Sequence, residues 1–140
     1  MNVISKQITI PTKNEGDIVD ITSKVSEAVS ETKLQKGIVT VFVTGATGAL
    51  TTIEYEPGLL MDFPNMLERI APKDISYEHE KRWRDGNGHS HVRASLIGPS
   101  ITVPFINGKL TLGTWQQIVF VELDTRNRVR NLVLQVIGER

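Results

Sequence analysis

The order of apolar and polar residues predicts short strands and two helices. Period-two alternation and β-branched runs indicate strands. Apolar residues three and four apart indicate two amphipathic helices, the first capped by Asp20 or Thr22 and ended by Gly37. The predicted order is strand 2–10, helix 25–32, strands 38–44 and 49–55, helix 59–70, loop 72–88, and strands 89–97, 100–106, 109–112, 115–123 and 129–137.

The second half of the chain is predicted to be almost entirely strand. Asn107 and Gly108 lie between two apolar runs and are typical of a tight hairpin turn. A polar turn at 124–127 joins the last two strands. Two helices followed by a dense antiparallel region predict an α+β fold, and 140 residues fit a single domain over 1–140.

Composition narrows the classes of function. Sixteen basic residues balance sixteen acidic ones, so no net field favours nucleic acid or an anionic membrane as a partner. Cysteine is absent, which excludes disulfides, thiolate metal sites and cysteine nucleophiles. No apolar run reaches the length of a membrane span. These features predict a cytoplasmic protein.

All three histidines fall within thirteen positions. His79, His89 and His91 are accompanied by Asp85 and Asn87, and imidazole suits both metal ligation and proton transfer near neutral pH. On the predicted strand, the two later histidines share one face, as two ligands of one ion would. His79 then completes the set from the loop, with Asp85 as ligand or orienting partner. The alternative is a hydrated strand face with no ion.

Two carboxylates in or beside apolar strands are further candidates. Glu122 lies within the apolar run 118–123, where a charge is costly unless it is paired or faces a cleft. A buried salt bridge to Arg128 or Arg130 is the alternative to a catalytic role. Glu54 follows an apolar strand. Its sequence surroundings favour an ordinary carboxylate at a strand end over a catalytic one.

Several motifs, in order along nearly the whole chain, match a known family. They include Gly-Pro-Ser and Gly-Thr-Trp-Gln, together with the histidine loop, and lie in segments 50–57, 77–79, 94–100 and 112–118. With these motifs the chain resembles the YjbQ-type family, small proteins described as secondary thiamine-phosphate synthases. The resemblance implies an α+β fold with a curled, largely antiparallel sheet or β-sandwich, and a homotrimer.

The resemblance also implies a pocket and shows one departure from the family pattern. Family members carry a histidine before the strand that leads to Glu54, and the matching position here is Gly45. His89 is then a candidate substitute for the missing histidine. The pocket implied by the resemblance uses His79, His91, Glu54, Gln116 and Glu122.

The leading hypothesis is an enzyme resembling thiamine-phosphate synthase, which joins a pyrimidine pyrophosphate to a thiazole phosphate and releases pyrophosphate. Such chemistry needs a divalent cation, Mg²⁺ for this reaction, and fixed donors for phosphate. The metal ligands would be His79, His91 and His89. Glu54, Asp85, Gln116 and Glu122 would be catalytic, and the substrate-binding candidates are Thr47, Thr52, Asn87, Ser95, Ser100 and Arg128.

Two other hypotheses remain open. Paired histidines favour Zn²⁺, Ni²⁺ or Fe²⁺ over Mg²⁺, so the protein is alternatively a metal-binding protein with a hydrolytic or sensing role. It is otherwise a non-catalytic trimeric scaffold whose histidine face lines a subunit interface. The enzyme hypothesis predicts a small phosphorylated molecule as partner.

Overall fold

Eight strands and four helices make up the protein, and a computed structural model describes residues 1–140 in full. The strands are β1 (Asn2–Pro11), β2 (Ile18–Asp20), β3 (Lys36–Val43), β4 (Gly48–Ile53), β5 (Ser100–Ile106), β6 (Lys109–Leu110), β7 (Gln117–Glu122) and β8 (Val129–Glu139). The helices are α1 (Thr22–Glu31), α2 (Pro57–Ile70), α3 (Glu78–Trp83) and α4 (Gly88–Ile97). All strand pairs are antiparallel, and the predicted α+β fold with a curled antiparallel sheet is confirmed.

The larger sheet has the strand order β1-β8-β3-β5-β6. Along β8, Arg130, Leu132 and Leu134 point to the buried side, and the residues between them are more exposed. Helix α1 packs on this buried side and contributes to the main hydrophobic core. The hairpin between β5 and β6 is the predicted one, because Asn107 and Gly108 both have positive φ angles, 54° and 73°.

The smaller sheet, with the order β2-β7-β4, is covered on both faces. Phe120 of β7 belongs to the core shared with the larger sheet, whereas Val121 lies in a second cluster with Leu67 of α2 and Ala94 of α4. This two-sided burial explains the continuous apolar run of β7. Alternation along the strand places Glu122 on the same side as Phe120, facing the larger sheet.

Residues 89–97 form helix α4, so the predicted strand was wrong. The buried residues His89, Ser90, Arg93 and Ala94 follow helical spacing. Three of these four are polar, and polar residues on a buried face hide the amphipathic pattern. The segment also contains only two β-branched residues, Val92 and Ile97, which is unfavourable for a strand.

Three smaller differences come from local features. Helix α1 ends at Glu31, before Gly37, and Lys33 takes the left-handed conformation with φ of 64°. The short strand β2 pairs with β7. Its three residues are too few to show a period-two alternation in the sequence. Helix α3 lies within the predicted loop. None of the four helices has the length and apolar composition needed to cross a lipid bilayer.

Gly37 and Gly138 are paired directly on the neighbouring strands β3 and β8, where there is no room for a side chain. A Cβ atom at position 37 would lie 2.0 Å from the Ile137 carbonyl oxygen, so the backbones would have to separate. We expect Gly37→Ala to lower the free energy of unfolding by about 1–3 kcal/mol, measured by chemical denaturation. Gly113→Ala is the control, because its Cβ would meet only ordinary contacts at 3.7 Å and 3.8 Å. Equal stability of the two variants would contradict the expectation.

Candidate functional site

Helices α3 and α4 bring two of the three histidines together. The rings of His79 and His91 have centroids 4.4 Å apart and are tilted by 49°. Both side chains are half-buried. The ring nitrogens of His91 have no hydrogen-bond partner within the chain, so this imidazole is available to a ligand.

The turn between α3 and α4 holds the His79 ring. Arg84 and Gly86 adopt positive φ angles of 56° and 71°, which reverse the chain. As a result His79 Nε2 lies 3.1 Å from Asp85 Oδ1 and 3.0 Å from the Asn87 side-chain amide. A carboxylate and an amide on one ring nitrogen fix the orientation of the imidazole.

A cavity of about 230 Å³ opens beside His91. Ser95 lies one helical turn after His91 and donates a hydrogen bond to its carbonyl oxygen. The opposite wall is the turn between β3 and β4. The residues that line the cavity are Gly45, Ala46, Gly48, His91, Ala94, Ser95 and Pro99.

Asp124 is held as a carboxylate, and its Oδ1 lies 3.4 Å from the side-chain amide of Asn87, which also contacts His79. Its Oδ1 accepts from the Thr125 backbone N–H at 2.8 Å, and its Oδ2 accepts from Arg128 Nε at 2.8 Å and from Thr47 Oγ1 at 3.1 Å. Burial alone would raise the pKa of Asp124. The hydrogen bonds outweigh burial and lower that pKa from 3.8 to about 2.

This lowered pKa predicts an acid-sensitive contribution to stability. Because the pKa of Asp124 is lower in the folded state, its contribution is full above pH 4 and is lost as the pH falls towards 2. We expect it to amount to about 2 kcal/mol. Asp124→Asn should therefore be less stable than wild type at pH 6, and the difference should shrink towards pH 2 in denaturation curves. A constant difference over this range would contradict the assignment.

Glu122 and Arg130 form a buried ion pair between the two sheets. Arg130 Nε donates to Glu122 Oε1 at 2.8 Å, and its Nη2 donates to the other carboxylate oxygen and to Thr47 Oγ1. Glu122 also accepts from Thr12 Oγ1 at 2.9 Å and from the Asp124 backbone N–H at 3.1 Å. Both carboxylate oxygens of Glu122 are therefore hydrogen-bonded within the protein. This arrangement is the buried salt bridge that the sequence offered as the alternative to a catalytic role.

His89 points away from the other two histidines. It is fully buried, and its Nε2 pairs with Glu15, which also binds Lys73 at 2.8 Å. Burial would raise the pKa of Glu15, but the hydrogen bonds from Lys73 and His89 lower it below its usual value. His89 therefore anchors α4 to the loop after β1. No three His, Cys, Asp or Glu side chains are grouped so that they could hold one metal ion.

Three other candidates lie at the opposite end of the smaller sheet. Gln116 Nε2 donates to Thr52 Oγ1 at 3.1 Å, and Glu54 lies just beyond β4. Strand β4 starts at Gly48, beside the cavity, so Glu54 is six residues further, roughly 20 Å away at ~3.3 Å per residue. Within one chain these three residues do not meet the histidine pair.

The remaining candidates divide between the cavity and its surroundings. Thr47 and Arg128 both bind Asp124, and Ser100 follows Pro99 at the start of β5. Sequence reasoning missed Asp124, which lies in the predicted polar turn without a distinguishing signal. It named Arg130 as a partner of Glu122, for which the charge within an apolar run was the signal, and as part of an arginine cluster at 126–130 that was weighed for phosphate binding against a solvated hairpin end.

The fold and the site together define a small α+β protein with a two-histidine site at one end of its sheets. The chain matches the family described as UPF0047 protein YjbQ-like over residues 6–139. It therefore belongs to the YjbQ/UPF0047 family.

Relatives and solved structures cover almost the whole chain. A UPF0047 protein of Methanothermobacter thermautotrophicus is 43% identical over 91% of this chain and 89% of its own length. One from Archaeoglobus fulgidus is 36% identical, covering 94% and 99%. The crystal structure of a YbjQ-like protein of unknown function from Sulfolobus solfataricus matches with a TM-score of 0.93 and 32% identity, over 99% of both chains.

Proposed function

We propose that the cavity beside His91 is the active site of a cytoplasmic enzyme that acts on a small phosphorylated molecule. One observation carries the proposal: the unpartnered His91 imidazole stands at the cavity, against a His79 ring held by Asp85. An accessible imidazole next to a fixed one is suited to donating or accepting a proton at a bound substrate. His91 is the proposed catalytic residue, and His79 positions it.

The surroundings support a phosphoryl group as the part of the substrate that is recognised. The Arg130 guanidinium lies behind the turn that forms the cavity wall and donates to Thr47, and Arg128 pairs with Asp124, which also binds Thr47. Arginine is well suited to phosphate because its donors match the oxygen geometry. A cavity of about 230 Å³ fits a small molecule or part of one.

The specific reaction we propose is the condensation of a pyrimidine pyrophosphate with a thiazole phosphate. The carbon–oxygen bond to pyrophosphate breaks with its electron pair on the leaving group, and the thiazole nitrogen lone pair forms the new carbon–nitrogen bond. An N–H of His91 would stabilise the charge that develops on pyrophosphate.

The donor set does not fit a divalent cation held by the three histidines. His89 is committed to Glu15, and His79 Nε2 faces Asp85 and Asn87. Mg²⁺ therefore enters this proposal only as the counter-ion of the pyrophosphate substrate.

We further propose that the protein assembles as a homotrimer. The outer face of the larger sheet, opposite α1, leaves Ile38, Phe42 and Ile106 exposed by 40%, 42% and 55%. Clustered apolar side chains on an uncovered sheet face are typical of subunit contacts. Light scattering of the purified protein tests this assembly, and a monomeric mass would reject it.

The reaction is tested by incubating the purified protein with both substrates, with and without Mg²⁺, and measuring thiamine phosphate and pyrophosphate. We expect product at a rate that depends on His91. Folded wild-type protein that forms no product under either condition would reject this reaction. Binding of pyrophosphate to the same sample then decides separately whether the cavity recognises a phosphoryl group.

A further inference from the structure

We propose that Arg130 binds the phosphoryl group of the substrate directly, and that Gly45 gives its guanidinium access to the cavity. This inference rests on the proposed function of the site. Arg130 otherwise looks like a purely structural residue, because its side chain is only 7% exposed and is paired with the fully buried Glu122.

One nitrogen of the Arg130 guanidinium remains without a partner. Nε and Nη2 are held by Glu122 and Thr47, whereas Nη1 makes no hydrogen bond within the chain. The only fully buried side-chain polar atom that lacks a partner is Ser90 Oγ. Nη1 is therefore not completely buried, and it is the free donor nitrogen of an otherwise saturated network.

Two glycines of the cavity wall lie directly against this guanidinium. A Cβ atom at Gly45 would lie 3.1 Å from Arg130 Nη1, and one at Gly48 would lie 3.5 Å from its Cζ. Both glycines line the cavity that His91 also lines. The guanidinium thus lies behind two positions of the wall that carry no side chain, and a side chain at position 45 would compete with Nη1 for the same space.

The hydrogen bonds to Glu122 and Thr47 also preorganise the Arg130 guanidinium for binding. Glu122 and Thr47 fix the guanidinium plane, so little side-chain entropy remains to be lost when a ligand binds. Glu122 neutralises much of the charge, which leaves the two N–H groups of Nη1 as donors to one anionic group. An oxygen of a phosphate ester or of pyrophosphate fits this requirement, with His91 available to a second oxygen.

Calorimetric titration with inorganic pyrophosphate tests the assignment. We expect wild type to bind one pyrophosphate per chain, and Gly45→Ala to weaken binding about tenfold because its methyl group displaces Nη1. Gly113→Ala is the matched control: it adds the same methyl group at a glycine outside the cavity, where the Cβ would meet only contacts at 3.7 Å and 3.8 Å, and we expect binding within twofold of wild type. Arg130→Lys keeps a positive charge beside Glu122 but lacks the fork, and should weaken binding at least tenfold.

The possible failures are distinguishable. If Gly45→Ala and Arg130→Lys bind like wild type while His91→Ala does not bind, the role of Arg130 is rejected and the proposed site stands. If wild type itself does not bind pyrophosphate, with or without Mg²⁺, both are rejected. If Arg130→Lys fails to fold, Gly45→Ala alone tests the role of Arg130, because the Gly45→Ala variant keeps the ion pair between Arg130 and Glu122.

Discussion

Arg130→Met is expected to lower the free energy of unfolding by about 3–5 kcal/mol, because it leaves the Glu122 carboxylate buried without its partner. Glu122 is completely buried and faces the core between the two sheets. Chemical denaturation at neutral pH measures the loss.

The double variant Glu122→Met/Arg130→Met should recover most of this stability, because a buried pair replaced by apolar side chains of similar volume is often neutral. Neighbouring hydroxyl groups keep other partners: Thr12 Oγ1 still bonds the Arg128 carbonyl oxygen, and Thr47 Oγ1 still bonds Asp124. Only the Asp124 backbone N–H loses its acceptor.

A solvent-exposed ion pair provides the control for the stability measurements on Arg130→Met and the double variant. Lys81 and Glu78 bind each other at 2.8 Å on the surface of α3, where both side chains are mostly exposed. Lys81→Met should change stability by less than about 1 kcal/mol. A similarly small loss for Arg130→Met would show that the buried pair does not hold the sheets together.

His91→Ala is expected to reduce turnover in the condensation assay by about 10²- to 10⁴-fold, the range for loss of one general acid or base. Its ring nitrogens have no structural partner, so the melting temperature should change little. His79→Ala should cause a smaller loss, because His79 acts through His91, and should also alter the pH–rate profile. The turnover of the double variant should lie within about twofold of the turnover of His91→Ala, because the two residues act as one unit.

Gln116→Ala separates this site from the opposite end of the smaller sheet. Gln116 is exposed, and its side chain contacts Thr52 and the Gly113 backbone. We expect its turnover to match wild type. Retained turnover in His91→Ala together with a strong loss in Gln116→Ala would move the active site to the other end of β4.

Much of the fold follows from local patterns in the sequence. The apolar run of β7, the Asn107-Gly108 turn and the amphipathic spacing of α2 are each visible in a short window. Helix α4 was missed because its buried face is polar, and its partners come from distant segments. The partner of His89 is Glu15, 74 residues earlier, and no local pattern indicates this pairing.

The site was predictable only where residues share one short segment. His79, Asp85 and His91 meet because a tight turn joins α3 to α4. The sequence also indicated that Glu122 needs a cationic partner, and Arg130 is that partner. The meeting of Arg130 with Gly45 depends on how two sheets face each other, which strand patterns do not specify.

The most direct test of the proposed active site is a titration of ¹⁵N-labelled protein with pyrophosphate, followed by amide chemical shifts. The largest changes are expected at Gly45, Ala46, Gly48, His91 and Ser95, which surround the cavity. Changes centred on Thr52 and on residues 113–116, or no saturable change anywhere, would contradict the proposal that this cavity binds the substrate.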